Sequence, residues 1–332
     1  MKALILKRYG RTDQLVFADI PRPMIMPDEI LVQVHAVGLN PVDNMIPKGM
    51  FKPLLKFQLP ATMGSDLAGV VVEVGSSVSR FKVGDAVFAS LFDLGVGSLA
   101  EFAAVPEHAA ALKPSNLDFV QAASIPMVGL TSWQAFHERA RLMPGQKVFI
   151  PAGAGGIGTF AIQLAKYLGA KVGTTTSTGN VDLVRRLGAD EVVDYKKQEF
   201  EEVLRSYDVV LGTTRGDALE KALRIVRPKS TVVSLIGPPD AAFARARGMN
   251  IVMKLIFGLL SRKIIRLAKK RDASYSFMFV RPDGLQLGRI SELLEASHIR
   301  PVIDKVFPFA QTKEALAYLE IGRAKGKVVV QM

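Results

Sequence analysis

Three glycines carry the first chemical signal in this chain. Gly153, Gly155 and Gly158 stand in the run PAGAGGIG, residues 151–158, with the spacing G-x-G-x-x-G. That spacing lets a backbone approach a pyrophosphate closely, and a helix starting there offers unpaired N–H groups to its charge. Gly153, Gly155, Gly156, Ile157 and Gly158 are therefore candidate dinucleotide-binding residues. Two other readings compete: a turn that merely lets a strand pack on a helix, and a membrane span through the uncharged residues 148–165. The span fails, because about 20 mostly apolar residues are needed. In a helix Pro151 would also cost about 3 kcal/mol, and each of the four glycines about 1 kcal/mol.

The elements around the turn favour the dinucleotide. Residues 147–150, KVFI, form a short β-rich run behind Pro144 and Gly145. Beyond the turn, Ile157, Ala161, Leu164 and Leu168 fall on one helical stripe, and Gly169 stands where helices end. The next strand is predicted at 171–177, KVGTTTS, and the helix after it ends at Gly188. Further β runs lie at 192–193, 208–211 and 231–236, with a helical stripe (Leu219, Ala222, Leu223, Val226) between the last two. Strands alternating with helices predict a doubly wound parallel sheet. An acidic residue at the end of its second strand, about 20 positions past the glycines, would take the ribose 2′-OH of NAD. Thr176 and Ser177 occupy that place instead. Their hydroxyls suit a 2′-phosphate that a carboxylate would repel, so NADPH is the expected cofactor.

The rest of the sequence bounds the protein. Its 332 residues suffice for two domains. A composition of 49% hydrophobic and 22% charged residues excludes a disordered chain. The absence of cysteine excludes disulfides, a thiolate nucleophile and cysteine-ligated zinc. His35, His108, His137 and His298 show no ligand spacing and read as surface or satisfied core residues. The start, MKALILKRYG, alternates like a strand without a long apolar core, so a cytoplasmic protein lacking a secretory signal is expected.

Within residues 1–115, short β runs at 3–6, 30–37, 70–74 and 86–89 are broken by Pro and Gly, as in an irregular β-barrel. A helix start at 115–118 leads into the second domain. Residues 312–320 read as a helix, and GKVVVQM beyond them as a strand returning to the first domain. The expected organisation is a first domain of 1–118 completed by 281–332, and a dinucleotide domain of 119–280.

Six further runs carry a resemblance: GLNPVD (38–43), GSDLAGVVVEVG (64–75), ASIPMVGLTSW (123–133), AGAGGIG (152–158), LGADEVVDY (187–195) and GRAKGKVVV (322–330). Together, and in this order, they resemble the zinc-independent quinone oxidoreductase (zeta-crystallin-like) group of the medium-chain dehydrogenase/reductase family. The similarity covers nearly the whole chain. It implies an α/β protein with a GroES-like irregular β-barrel catalytic domain, a doubly wound NADP(H)-binding Rossmann domain and an active site between them. The implied reaction is hydride transfer to a quinone or to the activated double bond of an α,β-unsaturated carbonyl.

Departures from the family's zinc-dependent branch are informative. Where that branch has Cys and His ligands, this chain has Asn40 and Ser65, and residues 88–102 are too few for its four-cysteine lobe. A catalytic zinc needs three protein ligands, so no metal is expected. The resemblance also assigns roles. Tyr195 and Arg323 match 2′-phosphate contacts, while the Lys or Arg that usually follows the second strand is replaced by Gly179 and Asn180. Arg185 and Arg186 either compensate or are solvated helix residues. Asn40 matches a nicotinamide-ribose contact and Thr131 a residue near the carboxamide. Met45 and Phe51 replace two pocket tyrosines, leaving an apolar substrate pocket without phenolic donors. Lys48 and solvent are the candidate proton sources, so Asn40 and Lys48 are the candidate catalytic residues. Asp43 and Asp66 would at most order the site; paired carboxylates for acid–base work are not expected.

Two surface features remain. Tyr275, Phe277 and Phe279 alternate in SYSFMFV (274–280), a strand pattern whose edge predicts pairing with a second copy. Residues 241–271 hold nine Lys and Arg and no acid, against a net charge of +12 for the chain, and interleave them with MNIVMKLIFGLL. This basic apolar insert suits an anionic membrane surface; alternatively it covers the active site with its apolar side buried. Nucleic acid is a poorer partner, since nothing there resembles a stacking module. The competing reading from another class is a non-catalytic NADP(H)-binding protein acting on a membrane or nucleic acid through this segment.

Overall fold

Apolar runs become strands where sheet faces find cover, and the longest of them organises the first part of the chain. The computed structural model describes residues 1–10, 14–55 and 57–332. They divide into two units, Met1–Leu130 with Val280–Met332, and Thr131–Phe279.

In the first unit, β1 (Lys2–Leu6), β2 (Leu15–Asp19), β3 (Glu29–Leu39) and the two-residue β4 (Ala61–Thr62) open the chain, with α1 (Pro41–Met45) directly after β3. Next come β5 (Asp66–Val74), β6 (Ala86–Ser90), β7 (Phe102–Pro106), β8 (Ala110–Leu112) and α2 (Phe119–Ala123). One sheet has the order β2-β1-β4. The larger sheet centres on β3, whose Ile30, Leu31, Val32, Val34, Val37 and Leu39 are all buried. Full burial contributes about 1.5–3 kcal/mol for each such side chain. Asp118 starts α2 as anticipated, its carboxylate accepting the Gln121 N–H at 2.7 Å. Gly38 lets α2 lie on β3, since a Cβ there would stand 2.0 Å from the Ala123 carbonyl oxygen.

The second unit begins inside α3 (Pro126–Trp133). Its strands are β9 (Lys147–Ile150), β10 (Lys171–Thr176), β11 (Glu191–Asp194), β12 (Tyr207–Gly212), β13 (Val226–Ser234) and β14 (Ser274–Phe277). All pair in parallel, in the order β11-β10-β9-β12-β13-β14. The helices between them are α4 (Gly156–Tyr167), α5 (Val181–Arg186), α6 (Phe200–Val203), α7 (Ala218–Ala222), α8 (Ala241–Ala246) and α9 (Ile251–Lys270). This is the doubly wound Rossmann arrangement.

One local expectation is corrected. Val226 belongs to β13 and not to a helical stripe, because α7 stops at Ala222 and Val226 pairs with Tyr207. The row Tyr275, Phe277 and Phe279 is spent inside its own unit. The Tyr275 hydroxyl donates to the Pro238 carbonyl at 2.7 Å, and the rings of Phe277 and Phe279 lie 4.9 and 5.9 Å from that of Phe243.

The chain then returns to the first unit as α10 (Gly284–Glu295), β15 (Ile303–Pro308), α11 (Thr312–Glu320) and β16 (Lys327–Gln331). The order of the larger sheet is β15-β16-β3-β5-β6-β8, with β7 also on β3. As expected from GKVVVQM, β16 joins that sheet, antiparallel to β3 with Val328 opposite Leu39.

Candidate functional site

Strand order in the second unit reverses between β9 and β12, the place where open α/β sheets bind ligands. The glycine turn leaves β9 there. The Thr174 hydroxyl donates to the Ile150 carbonyl at 2.6 Å, and the Thr213 hydroxyl to the Pro151 carbonyl at 2.9 Å. The N–H groups of Ala152 and Gly153 donate to Thr175 Oγ1 and the Thr175 carbonyl, at 3.1 and 2.9 Å. The turn is thus stitched to β10 and to the end of β12. At Gly158 a Cβ would stand 2.5 Å from the Ala152 carbonyl oxygen and 2.6 Å from Gly153 Cα. Only glycine lets α4 close down on the turn. Gly155 caps α4 without a side chain, so the first-turn N–H groups are left to a ligand. A cradle that a Cβ would fill, under an uncapped helix start, fits a pyrophosphate.

The rim at the end of β10 is only partly as the sequence suggests. Thr176 is buried and Ser177 half-buried, the Ser177 oxygen accepting from Asn180 Nδ2 at 3.1 Å. A carboxylate is nevertheless present. The parallel register sets Asp194 of β11 beside Thr176. The Thr178 hydroxyl donates to Asp194 at 2.6 Å and, with Lys196 and Lys197 nearby, holds that carboxyl below the usual range. Lys197 Nζ lies 3.8 Å from it. Neither lysine was singled out in the sequence, although both follow Tyr195 directly. Tyr195 is exposed, as are Arg185 and Arg186 on α5.

In the first unit the ends of three strands bring together a buried polar cluster. Asn40, Asp43, Ser65, Asp66 and Lys327 are all less than 5% exposed. Asn40 follows β3 directly as the N-cap of α1, and its side chain is fully engaged. Its Nδ2 donates to Asp66 Oδ2 at 2.9 Å and to the Gly38 carbonyl at 3.2 Å, while its Oδ1 accepts from Lys327 Nζ at 2.5 Å. Lys327 also donates to the Leu39 carbonyl at 2.9 Å and lies 3.7 Å from Asp66. Asp43, in the first turn of α1, accepts from the Asn40 N–H at 2.7 Å and from the Ser65 hydroxyl at 2.5 Å.

Two buried carboxylates therefore lie in the field of one buried ammonium. Burial pushes the Asp43 carboxyl up to about 7 against the hydrogen bonds from Ser65 and Asn40. Burial also raises Asp66 against the pull of Lys327, and lowers Lys327 against both acids. An ordering role for Asp43 and Asp66, the one expected of them, fits this arrangement. They are coupled through Asn40 and Lys327, and Lys327 escaped notice in the sequence. Asn40 and Ser65 are both members of this network. Among the described residues, no group of three His, Asp or Glu is placed to hold a metal ion.

The other sequence candidates are dispersed. Lys48 is exposed and paired with Glu320 at the end of α11. Met45 ends α1, and Met45 and Phe51 are both half-buried. Thr131 is buried in α3 of the second unit, and Arg323 is exposed in the loop between α11 and β16 of the first.

Comparison with known proteins agrees over the full length. Residues 26–115 match the family described as alcohol dehydrogenase GroES-like domain, and 187–330 that described as zinc-binding dehydrogenase. The mitochondrial NAD(P)H oxidoreductase RTN4IP1 of Danio rerio is 35% identical, over 100% of this chain and 91% of its own. The chloroplastic NADPH-dependent alkenal/one oxidoreductase of Arabidopsis thaliana is also 35% identical, over 99% of this chain and 79% of its own. The structure of the quinone oxidoreductase from Coxiella burnetii superposes with a TM-score of 0.85 at 28% identity, covering 100% of this chain and 99% of that one.

Proposed function

Because the chain belongs to the medium-chain dehydrogenase/reductase family, with quinone and enone oxidoreductases among its relatives, we propose that the residues described above divide the work of one reaction without zinc. The protein is an NADPH-dependent oxidoreductase that transfers hydride to a quinone or to the activated double bond of an enone. The observation that carries the reading is the glycine turn, fixed by Thr174, Thr175 and Thr213 beneath an uncapped α4.

When bound, the cofactor supplies the hydride. The backbone of Gly153, Gly155, Gly156, Ile157 and Gly158 holds the pyrophosphate. Thr176, Ser177, Tyr195 and Arg323 would hold the 2′-phosphate, and Thr131 the nicotinamide end. With its amide committed to Asp66, Gly38 and Lys327, Asn40 acts by positioning. Met45 and Phe51 line an apolar acceptor pocket, so the protein contributes proximity and orientation and not a Lewis acid. The proton that completes enone reduction comes from solvent or from Lys48.

The test is NADPH oxidation by the purified protein with a panel of quinones and enones, with and without a chelator. Turnover that survives chelation is expected. No oxidation with any acceptor would favour the non-catalytic binding protein, and an essential tightly bound zinc would refute zinc independence. In the same assay a general acid at Lys48 would show as a loss of about 10²–10⁴-fold in Lys48→Met. Unchanged turnover assigns the proton to solvent.

A homodimer in the cytoplasm, with peripheral contact to anionic membrane, completes the reading. What supports the dimer is β14, which among the described residues ends its sheet with β13 as its one strand neighbour, a place where strands of two copies can pair, although the Phe277 N–H there is already bonded to Asp240. Sedimentation at micromolar concentration should give a dimer; a monomer rules out pairing along β14.

A further inference from the structure

Helix α9 has two apolar faces, and only one of them is used. Phe257, Ser261, Ile264 and Ala268 are buried and recur at helical spacing, and this side packs on β14, α7 and α8. At 100° per residue, the opposite side carries Ile251, Val252, Leu255, Ile256 and Leu259, with Leu260 on the flank between the two faces. All six are exposed, Leu255 at 62% and Leu259 at 68%. Single exposed aliphatics need no explanation, but a contiguous row marks a contact surface. The same outward side continues through the last turns as Arg262, Lys263, Arg266 and Lys270, all exposed. One half of the face is aliphatic and the other cationic.

We propose that this outward face of α9 docks the protein on an anionic lipid bilayer. The aliphatic half would enter the boundary between headgroups and acyl chains, and the basic half would meet the headgroup charge. The proposal deepens the membrane contact named above and is independent of hydride transfer. No helix among the described residues is long and apolar enough to cross a membrane, so the contact is peripheral.

Charge separates this occupant from the others. A second copy laid parallel on the aliphatic row would bring the basic residues of two chains together, and one laid antiparallel would leave them in water, since residues 241–271 contain no acid to neutralise them. Among the described residues, Glu220 pairs with Lys263 at 2.5 Å. A nucleic acid would satisfy the cations but leave the aliphatic row in water. Anionic lipid satisfies both halves.

The experiment is co-sedimentation of the full chain with vesicles of phosphatidylcholine alone, or with about one-third phosphatidylglycerol. Binding should require the anionic lipid and weaken as salt rises. Replacing Arg262, Lys263 and Arg266 together by Gln should weaken it roughly a hundredfold. The pair Leu255→Ser and Leu259→Ser should weaken it at least tenfold. Both variants should keep the NADPH oxidation rate without vesicles and the sedimentation of the parent, since they alter only exposed residues. Absent binding, salt-insensitive binding or binding retained in either variant overturns the proposal. A change of oligomeric state in the leucine variant would make the row an interface between copies, which also overturns it.

Discussion

Replacing Lys327 by Met should destabilise the protein by about 3–5 kcal/mol at neutral pH, the usual effect of removing one partner from a buried ion pair. The thermal midpoint should fall by roughly 4–7 °C. Lys327 is 4% exposed and is the cation of a site that holds Asp43 and Asp66. Met keeps most of the volume, so the cost is electrostatic. It leaves Asp66 without its counter-charge, and Asn40 Oδ1 and the Leu39 carbonyl without a donor. Adding Asp66→Asn to Lys327→Met should recover about half of the loss or more, because the second change removes the stranded charge. A Lys327→Met midpoint within about a degree of the parent, or no recovery in the double variant, would show that the cluster does not carry this load.

The same cluster makes stability depend on pH in a defined direction. Asp43 keeps its proton up to about 7 when folded, against 3.8 for the ordinary group. Below 3.8 both states bind that proton and the stabilisation is fully present. Between 3.8 and about 7 the folded state alone binds it, so this contribution falls as pH rises, by about 1.4 kcal/mol per unit. Above about 7 it is gone. The charged and polar groups that face Asp43 are Ser65, Asp66 and Lys327, together with the Asn40 N–H. Asp43→Asn removes the titration, so its stability measured from pH 5 to 7.5 should decline less than the parent's.

Why this cluster escaped the sequence while the glycine turn did not is a matter of range. The turn, its strand and its helix lie within residues 147–169, and local rules suffice: a β run, glycines at fixed spacing, one helical stripe. The same holds for α11, whose observed span Thr312–Glu320 is the predicted one. Lys327 stands before three valines and reads as a solvated strand start. It is buried because β16 pairs with β3, 287 residues away, in the register that sets Lys327 against Asn40. Asp194 was missed for a related reason. The carboxylate at the end of β10 comes from the neighbouring strand, through the pairing of Thr176 with Asp194. In residues 241–271 the composition announced an amphipathic segment, but not that α9 buries one apolar face and leaves a second outside. That depends on which stripe meets β14, a tertiary choice between two suitable faces.

Arg323→Ala should weaken NADPH binding roughly ten- to a hundredfold, the worth of one charge-assisted contact to the 2′-phosphate. NADH lacks that phosphate, and its affinity should hardly change. Arg323 is exposed in the loop between α11 and β16, flanked by Gly322 and Gly326, both with positive φ. An exposed loop position of this kind costs little stability when truncated, so an unchanged thermal midpoint is part of the expectation. Arg323→Lys should recover only part of the affinity, since an ammonium cannot reproduce the two-pronged contact of a guanidinium. Raising the ionic strength should narrow the NADPH preference of the parent more than that of the alanine variant. The Thr176 and Ser177 hydroxyls would retain a weaker preference for NADPH in Arg323→Ala, because neutral hydrogen bonds are worth less than charged ones. Equal losses for the two cofactors would mean that Arg323 acts on a part they share, and the 2′-phosphate would then rest on Tyr195 and the lysines beside it.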